Sequence, residues 1–177
     1  VIDLEELAQN AGSVFGTIPF NSKPPSQKMF ENMIHERLCT LKRPIFVESE
    51  SRRIGTVTLT KALHEAMKRG HHLLVTTDLE NRIDVISEFY LPALCSDKVS
   101  ESINHLRKQL GHKKVDQLLE WIDQQSYEKV IESLIVDYYD PLYEYSIKQY
   151  DHYIEKIHYQ RIDEAVDRIE TYFYEVN

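Results

Sequence analysis

Within twelve residues, Pro44 to Gly55, the chain places Glu48, Glu50, Arg52 and Arg53 directly behind the apolar run Ile45-Phe46-Val47. A β-branched and aromatic run bounded by Pro44 on one side and polar residues on the other predicts a short buried strand, with Glu48 at its carboxyl end. In open α/β sheets ligands bind outside the carboxyl ends of the strands, which aims Glu48, Glu50, Ser51, Arg52 and Arg53 at one crevice. A carboxylate there can hold a metal ion or its waters. The planar fork of a guanidinium matches phosphate oxygens two at a time. The same residues also suit a solvated turn stapled by Glu–Arg pairs, which needs no ligand. Asp3 follows the apolar start Val1-Ile2 in the same way and falls at a second strand end.

The elements that would position these groups follow from periodicity. Val1 to Leu4 and Pro44 to Val47 predict strands, and Leu73 to Val75 a third, ending at Thr76, Thr77 and Asp78. Between the first two, residues 12–25 (GSVFGTIPFNSKPP) are turn formers that predict a loop over the sheet edge. A helix runs from Ser26 to Leu41, with Ser26 as N-cap and Phe30, Met33, Ile34 and Leu38 on its inner face. Thr60 to Arg69 is a second helix, stopped by Gly70, and Leu79 onward a third, with Ile83, Ile86, Phe89 and Tyr90 as its apolar positions. Strand alternating with helix predicts a parallel sheet. Beyond Cys95, four segments read as helix: Val99 to Leu110, Val115 to Gln124, Tyr127 to Tyr139 and Leu142 to Tyr174. No strand is expected to return, and Gly111 and Pro141 mark breaks. Trp121 is expected in a core, and the tyrosines from Tyr138 to Tyr153 are read as packing residues with wet hydroxyls.

The formal net charge of −8 is unevenly spread. Residues 21–82 carry 11 Lys+Arg against 7 Asp+Glu, whereas residues 115–177 carry 5 against 15. A polyanion is drawn to the first stretch and repelled by the second. No apolar run approaches the roughly 20 residues of a transmembrane helix. The two cysteines, Cys39 and Cys95, form no CxxC and no Cys/His cluster, so both are expected to be buried small hydrophobes in a reducing cytoplasm. The five glycines include neither GxxxxGK[ST] nor GxGxxG, so the chain contains no Gly-rich phosphate cradle. Its histidines show no HxxxH or HExxH spacing.

In order along the chain stand VIDLE, GSVFG, PSQKMFE, ESESRRIG, LENRI and YYDPLY. Together these resemble the C-terminal part of bacterial tRNA 2-selenouridine synthase, from Val1 to about Tyr143; residues 144–177 match only as generic helix. The resemblance implies an enzyme that joins a rhodanese domain, bearing the catalytic cysteine, to a P-loop domain. It replaces sulfur by selenium in wobble 2-thiouridine of tRNA, through a geranylated intermediate, with selenophosphate and geranyl pyrophosphate as substrates. Against that layout the chain starts at the second strand of the P-loop domain, without the rhodanese domain or the phosphate loop. Neither Cys39 nor Cys95 then inherits the catalytic role, and no catalytic residue is assigned. Where the family reads HRGS this chain has Asn10-Ala11-Gly12-Ser13, which removes a basic contact to phosphate.

Carried over residue by residue, the resemblance puts Glu48 where a Walker-B-like acid holds a magnesium water, with Asp3 sharing the metal. It puts Ser13, Arg52, Arg53 and Arg82 against phosphate or tRNA, Arg82 as a lid residue. The expected fold is α/β, an incomplete P-loop-type parallel sheet over residues 1–95 followed by an all-helical extension over 96–177. The expected partners are tRNA and the parent's rhodanese domain, with Mg2+ as cofactor and neither DNA nor a membrane involved; the piece alone is expected to be inactive. Two other readings stay open. One is a helical protein-interaction module using the acidic, Tyr-rich half, and the other a nucleotide-kinase-like enzyme acting on a small phosphorylated metabolite.

Overall fold

The computed structural model describes residues 1–20, 22–90 and 97–176. The chain is α/β and divides into two compact units, Val1–Gly70 with Cys95–Ser102, and His71–Leu94 with Ile103–Asn177. The boundary expected between residues 95 and 96 lies outside the described residues.

In the first unit Ile2 is bridged in parallel to Val47, and the Ile2 N–H donates to the Phe46 carbonyl at 2.8 Å. Among the described residues that bridge is all the ladder the first two expected strands form. Asp3 ends the first, because its carboxylate accepts the Glu6 N–H at 2.6 Å and caps helix α1 (Leu4–Ala8), whose first turn carries Glu6 at the favourable end of the helix dipole. Pro44 limits the second, since it has no N–H to give a ladder. Helix α2 (Gln27–Thr40) starts at Ser26, whose hydroxyl accepts the Met29 N–H at 3.3 Å, and buries Phe30 and Ile34. Strands β1 (Arg53–Ile54) and β2 (Val57–Thr58) form an antiparallel hairpin that periodicity did not predict. Gly55, at φ 55°, supplies the left-handed residue that its two-residue turn requires. The Gln27 amide holds α2 to this hairpin, donating to the Thr58 carbonyl at 2.7 Å and accepting the Thr58 N–H at 2.9 Å. Helix α3 (Lys61–Lys68) begins after its Thr60 cap. The core is Ile2, Leu4, Leu7, Ala8, Phe30, Ile34, Ile54, Val57 and Leu59. Each of these side chains except Ala8, when fully buried, contributes about 1.5–3 kcal/mol.

The second unit holds strand β3 (Leu73–Thr76), helix α4 (Leu79–Tyr90) and most of the C-terminal half. Helices α5 (Asp97–His105), α6 (Arg107–Leu110), α7 (His112–Asp123) and α8 (Tyr127–Leu134) occur in that order, and α8 runs on through a π-helical turn (Ile135–Tyr139) into α9 (Asp140–Ile147). The chain then returns to the sheet, against expectation. Strand β4 (Glu155–His158) pairs in parallel with β3, in the register Leu73↔Glu155 to Thr76↔His158, before helix α10 (Ile162–Val176). Only Ile157 of β4 is buried, so a single apolar residue among polar neighbours hid the strand in a run of helical appearance.

Pro141 does not break the helix as expected; the backbone accommodates it. In a regular α-helix its ring would collide with the carbonyl of Asp137, four residues back. Here the Asp140 N–H reaches to the Ile135 carbonyl, five residues back, widening that turn. The core of this unit includes Ile103, Leu106, Val115, Leu118, Val130, Ile131, Leu134, Ile135 and Ile157. Trp121 is only half-buried, with the Lys114 ammonium 5.9 Å from its ring centroid. Among the described residues no helix is long and apolar enough to cross a membrane.

Candidate functional site

The Ile2–Val47 bridge makes Asp3 and Glu48 neighbours, because each is the next residue along its segment. Both carboxylates turn onto the start of α1: Glu48 Oε1 accepts the Glu5 N–H at 2.8 Å, and Asp3 accepts that of Glu6. Two further carboxyls stand beside them. Glu5 and Glu50 are hydrogen-bonded to each other through their side chains. Burial, then the charge and hydrogen bond of Glu50, then the charges of Glu48 and Asp3, push the Glu5 carboxyl up to about 8. The proton therefore sits on Glu5 and is donated to Glu50. Burial also raises Glu50 and Glu48; backbone N–H groups, that of Glu5 among them, pull Glu48 back. Gly12 closes over the carboxyl pair at φ 60°, where a Cβ would lie 2.5 Å from Glu5 Oε1 and 2.9 Å from Glu50 Oε1.

Among the described residues no group of three or more His, Cys, Asp or Glu side chains converges as a metal-binding set. Asp3 and Glu48 are a pair, which is the protein's share when Mg2+ keeps several waters and takes phosphate oxygens for the rest of its octahedron. The donor set therefore fits Mg2+ together with a phosphorylated ligand.

Ser13 lies in the loop after Gly12, its hydroxyl accepting the Phe15 N–H at 3.1 Å. Arg52 and Arg53 lead into the hairpin and are exposed. Among the described residues each anchors only its Nε–H on a carbonyl, Arg52 on Leu59 at 3.3 Å and Arg53 on Gly55 at 3.1 Å. Among the described residues neither enters an ion pair, which leaves their Nη groups for an anion. Asn10, at the first position of the altered HRGS stretch, is 6% exposed. It is wedged between two glycines: a Cβ on Gly16 would lie 2.3 Å from its Oδ1, and one on Gly55 2.6 Å from its Nδ2. Its Oδ1 has no hydrogen-bond partner among the described residues. A buried amide at this point was not legible in sequence; the flanking glycines were the available signal.

Arg82 belongs to the second unit and is not free. Its Nη2 lies 2.5 Å from Asp140 Oδ1 and its Nη1 3.2 Å from Asp140 Oδ2, so two of the six motifs, LENRI and YYDPLY, are joined by one bidentate pair. Cys39 is exposed, contrary to expectation, and its Sγ lies 3.6 Å from His35 Nε2, a pairing readable as residues four apart on α2. Cys95 lies outside the described residues.

The family model described as "tRNA 2-selenouridine synthase AAA domain" matches residues 1–172. The chain belongs to that family. Among curated relatives, the tRNA 2-selenouridine synthase of Marinobacter nauticus is 30% identical over 179 residues, covering 84% of this chain and 48% of the relative. That of Alcanivorax borkumensis is also 30% identical, with 84% and 49% covered. That of Shewanella halifaxensis is 28% identical, with 94% and 54% covered. The chain thus spans about half the length of the curated tRNA 2-selenouridine synthases it matches. No solved structure matches it.

Proposed function

We propose that this chain is the phosphate- and tRNA-contacting part of a tRNA-modifying transferase that exchanges sulfur for selenium in wobble 2-thiouridine through a geranylated intermediate. The observation that carries the reading is the pair Asp3 and Glu48, side by side after a parallel bridge, with the exposed guanidiniums of Arg52 and Arg53 a few residues further on. In this reading the tRNA backbone or the pyrophosphate of geranyl pyrophosphate docks on Arg52, Arg53 and the Ser13 loop. Asp3 and Glu48 would hold Mg2+, which supplies charge neutralisation at a pyrophosphate. The catalytic cysteine of a rhodanese domain and the phosphate loop are assigned to other parts of the parent enzyme, so this chain binds tRNA without modifying it.

Filter binding of tRNA to this chain across a salt series tests the proposal. Neutralising a phosphate contributes a slope near −0.9 in log K against log salt, or nearer −0.7 on single-stranded RNA. Arg52→Ala with Arg53→Ala is expected to make the slope shallower by about one to two units and to weaken binding. An unchanged slope would remove the two arginines from the interface. No binding at low salt would remove tRNA as a ligand of this chain.

A further inference from the structure

The Arg82–Asp140 pair has a geometry that goes beyond two charges meeting on a surface. Asp140 takes Nη1 and Nη2, the end-on edge of the guanidinium. Among the described residues the side edge, formed by Nε–H and the second Nη2–H, has no protein acceptor, and the Arg82 side chain is 30% exposed. A guanidinium offers five N–H donors, so one edge can be fixed by a carboxylate while the other receives a second anion.

The carboxylate is held in place by the backbone that carries it. The widened turn at Ile135–Tyr139 inserts one residue into the helical register, which rotates the downstream residues by about 100° relative to an uninterrupted α-helix. Asp140 is the first residue after that turn, and Pro141 is the reason the turn is wide. Asp137, inside the turn, is fixed independently: Lys114 Nζ lies 2.6 Å from its Oδ2, which also accepts the Ser133 hydroxyl at 3.0 Å. The turn is therefore anchored at Asp137 to α7 and at Asp140 to α4.

We propose that Asp140 is a positioning residue for Arg82, holding the end-on edge so that the side edge presents a fixed pair of donors to a phosphate group of the ligand. This rests on the reading that the chain contacts tRNA or a polyphosphate, and it adds Arg82 to that contact. It assigns Asp140 and the Pro141 turn a role in that contact. The unit holding the pair carries 10 Lys+Arg against 19 Asp+Glu. Long-range attraction does not bring an anion here, and Arg82 acts through short-range directed hydrogen bonds, for which a fixed orientation matters most. An unheld arginine would lose rotamer entropy in making the same contact.

The alternative, that Asp140 merely competes with phosphate for Arg82, predicts the opposite sign. Asp140→Ala, Arg82→Ala and the exchanged pair Arg82→Asp/Asp140→Arg would be compared by urea unfolding and by affinity for tRNA and for inorganic tripolyphosphate. If Asp140 positions Arg82, Asp140→Ala weakens both ligands by about tenfold, the scale of one charge-assisted hydrogen bond. The exchanged pair then recovers stability but not affinity, which a purely structural pair would not do. Tighter binding by Asp140→Ala would overturn the proposal in favour of competition. Lost stability with unchanged affinity for both ligands would reduce the pair to a structural clamp. Tripolyphosphate separates this inference from the reading beneath it: if tRNA is not bound at all but Asp140→Ala still weakens tripolyphosphate, the tRNA reading fails and the positioning role stands.

Discussion

The backbone N–H of Glu5 donates to Glu48 Oε1 at 2.8 Å, across 43 residues of sequence. One contact thereby ties the segment after Val47 to the start of α1 and gathers Asp3, Glu5, Glu48 and Glu50 within electrostatic reach of one another. The arrangement tolerates four carboxyls because a proton is retained on Glu5.

That retained proton makes stability depend on pH with a definite sign. Glu5 titrates near 8 in the folded chain against 4.5 ordinarily, so between those values the folded state binds more protons than the unfolded one. Stability therefore falls as pH rises through that window. The Glu5 contribution is level below about pH 4.5 and reaches its full cost above about pH 8. Thermal unfolding is expected at a lower temperature at pH 8.5 than at pH 5.5, with Glu5→Gln flattening the dependence. A Glu5→Gln profile as steep as the wild type would show that other groups set it.

Asn10 offers a packing test. At Gly16 the backbone is not left-handed, so Gly16→Ala introduces steric clashes alone, with Asn10 Oδ1 at 2.3 Å and the Ser13 carbonyl at 2.9 Å, and is expected to cost about 1–3 kcal/mol in urea unfolding. At Gly55 the clash adds to a φ of 55° that favours glycine, worth about 1–2 kcal/mol more. Truncating Asn10 to Ala in both backgrounds separates the two terms. It relieves each substitution in part, leaving the Ser13 carbonyl contact at Gly16 and the left-handed φ at Gly55. Unchanged costs in the Asn10→Ala background would mean that the Asn10 side chain is not what the two glycines accommodate.

Much of this was legible from local signals, and the remainder was hidden for specific causes. Helix α2 announced itself through Ser26, which accepts the Met29 N–H, and helix α3 through its apolar spacing and the stop at Gly70; that Thr60 caps α3, accepting the Leu63 N–H, emerges only from the structure. Asp3 and Glu48 were paired in advance because both come directly after apolar runs, and a parallel bridge brings two such ends together. The hairpin was missed because each strand is two residues long. Strand β4 was missed because its ladder depends on β3, more than seventy residues earlier, while its own pattern shows one buried residue. The partner of Arg82 could not be read at all, since Asp140 is 58 residues away and reaches it only through the widened turn before Pro141.

The same dependence makes Ile157 a sharp probe of the second unit. It is 1% exposed and is the only buried residue of β4. Ile157→Ala is expected to destabilise by about 2–5 kcal/mol. His158→Ala, on the exposed side of the same strand, removes a contact of 3.2 Å to the Thr76 hydroxyl and is expected to cost about 1 kcal/mol or less. Comparable losses from the two would argue that β4 is held by its polar edge.

Glu48→Gln separates the structural from the ligand-holding role of the central carboxylate. The amide keeps an oxygen that can accept the Glu5 N–H, so α1 keeps its anchor. Burial holds the Glu48 carboxyl above its ordinary range, so losing its charge removes an ionisation cost at neutral pH, and the unfolding temperature is expected to stay level or rise. The remaining site would offer Asp3 alone as an anionic ligand. Mn2+ serves as a paramagnetic stand-in for Mg2+, since both favour oxygen donors. With tripolyphosphate present, its binding by electron paramagnetic resonance is expected to weaken by about tenfold, roughly 1.4 kcal/mol, in Glu48→Gln. Asp3→Asn is expected to weaken it similarly. Unchanged Mn2+ binding in both variants, with stability intact, would leave the pair as the cap and anchor of α1 and move any metal elsewhere in the parent enzyme.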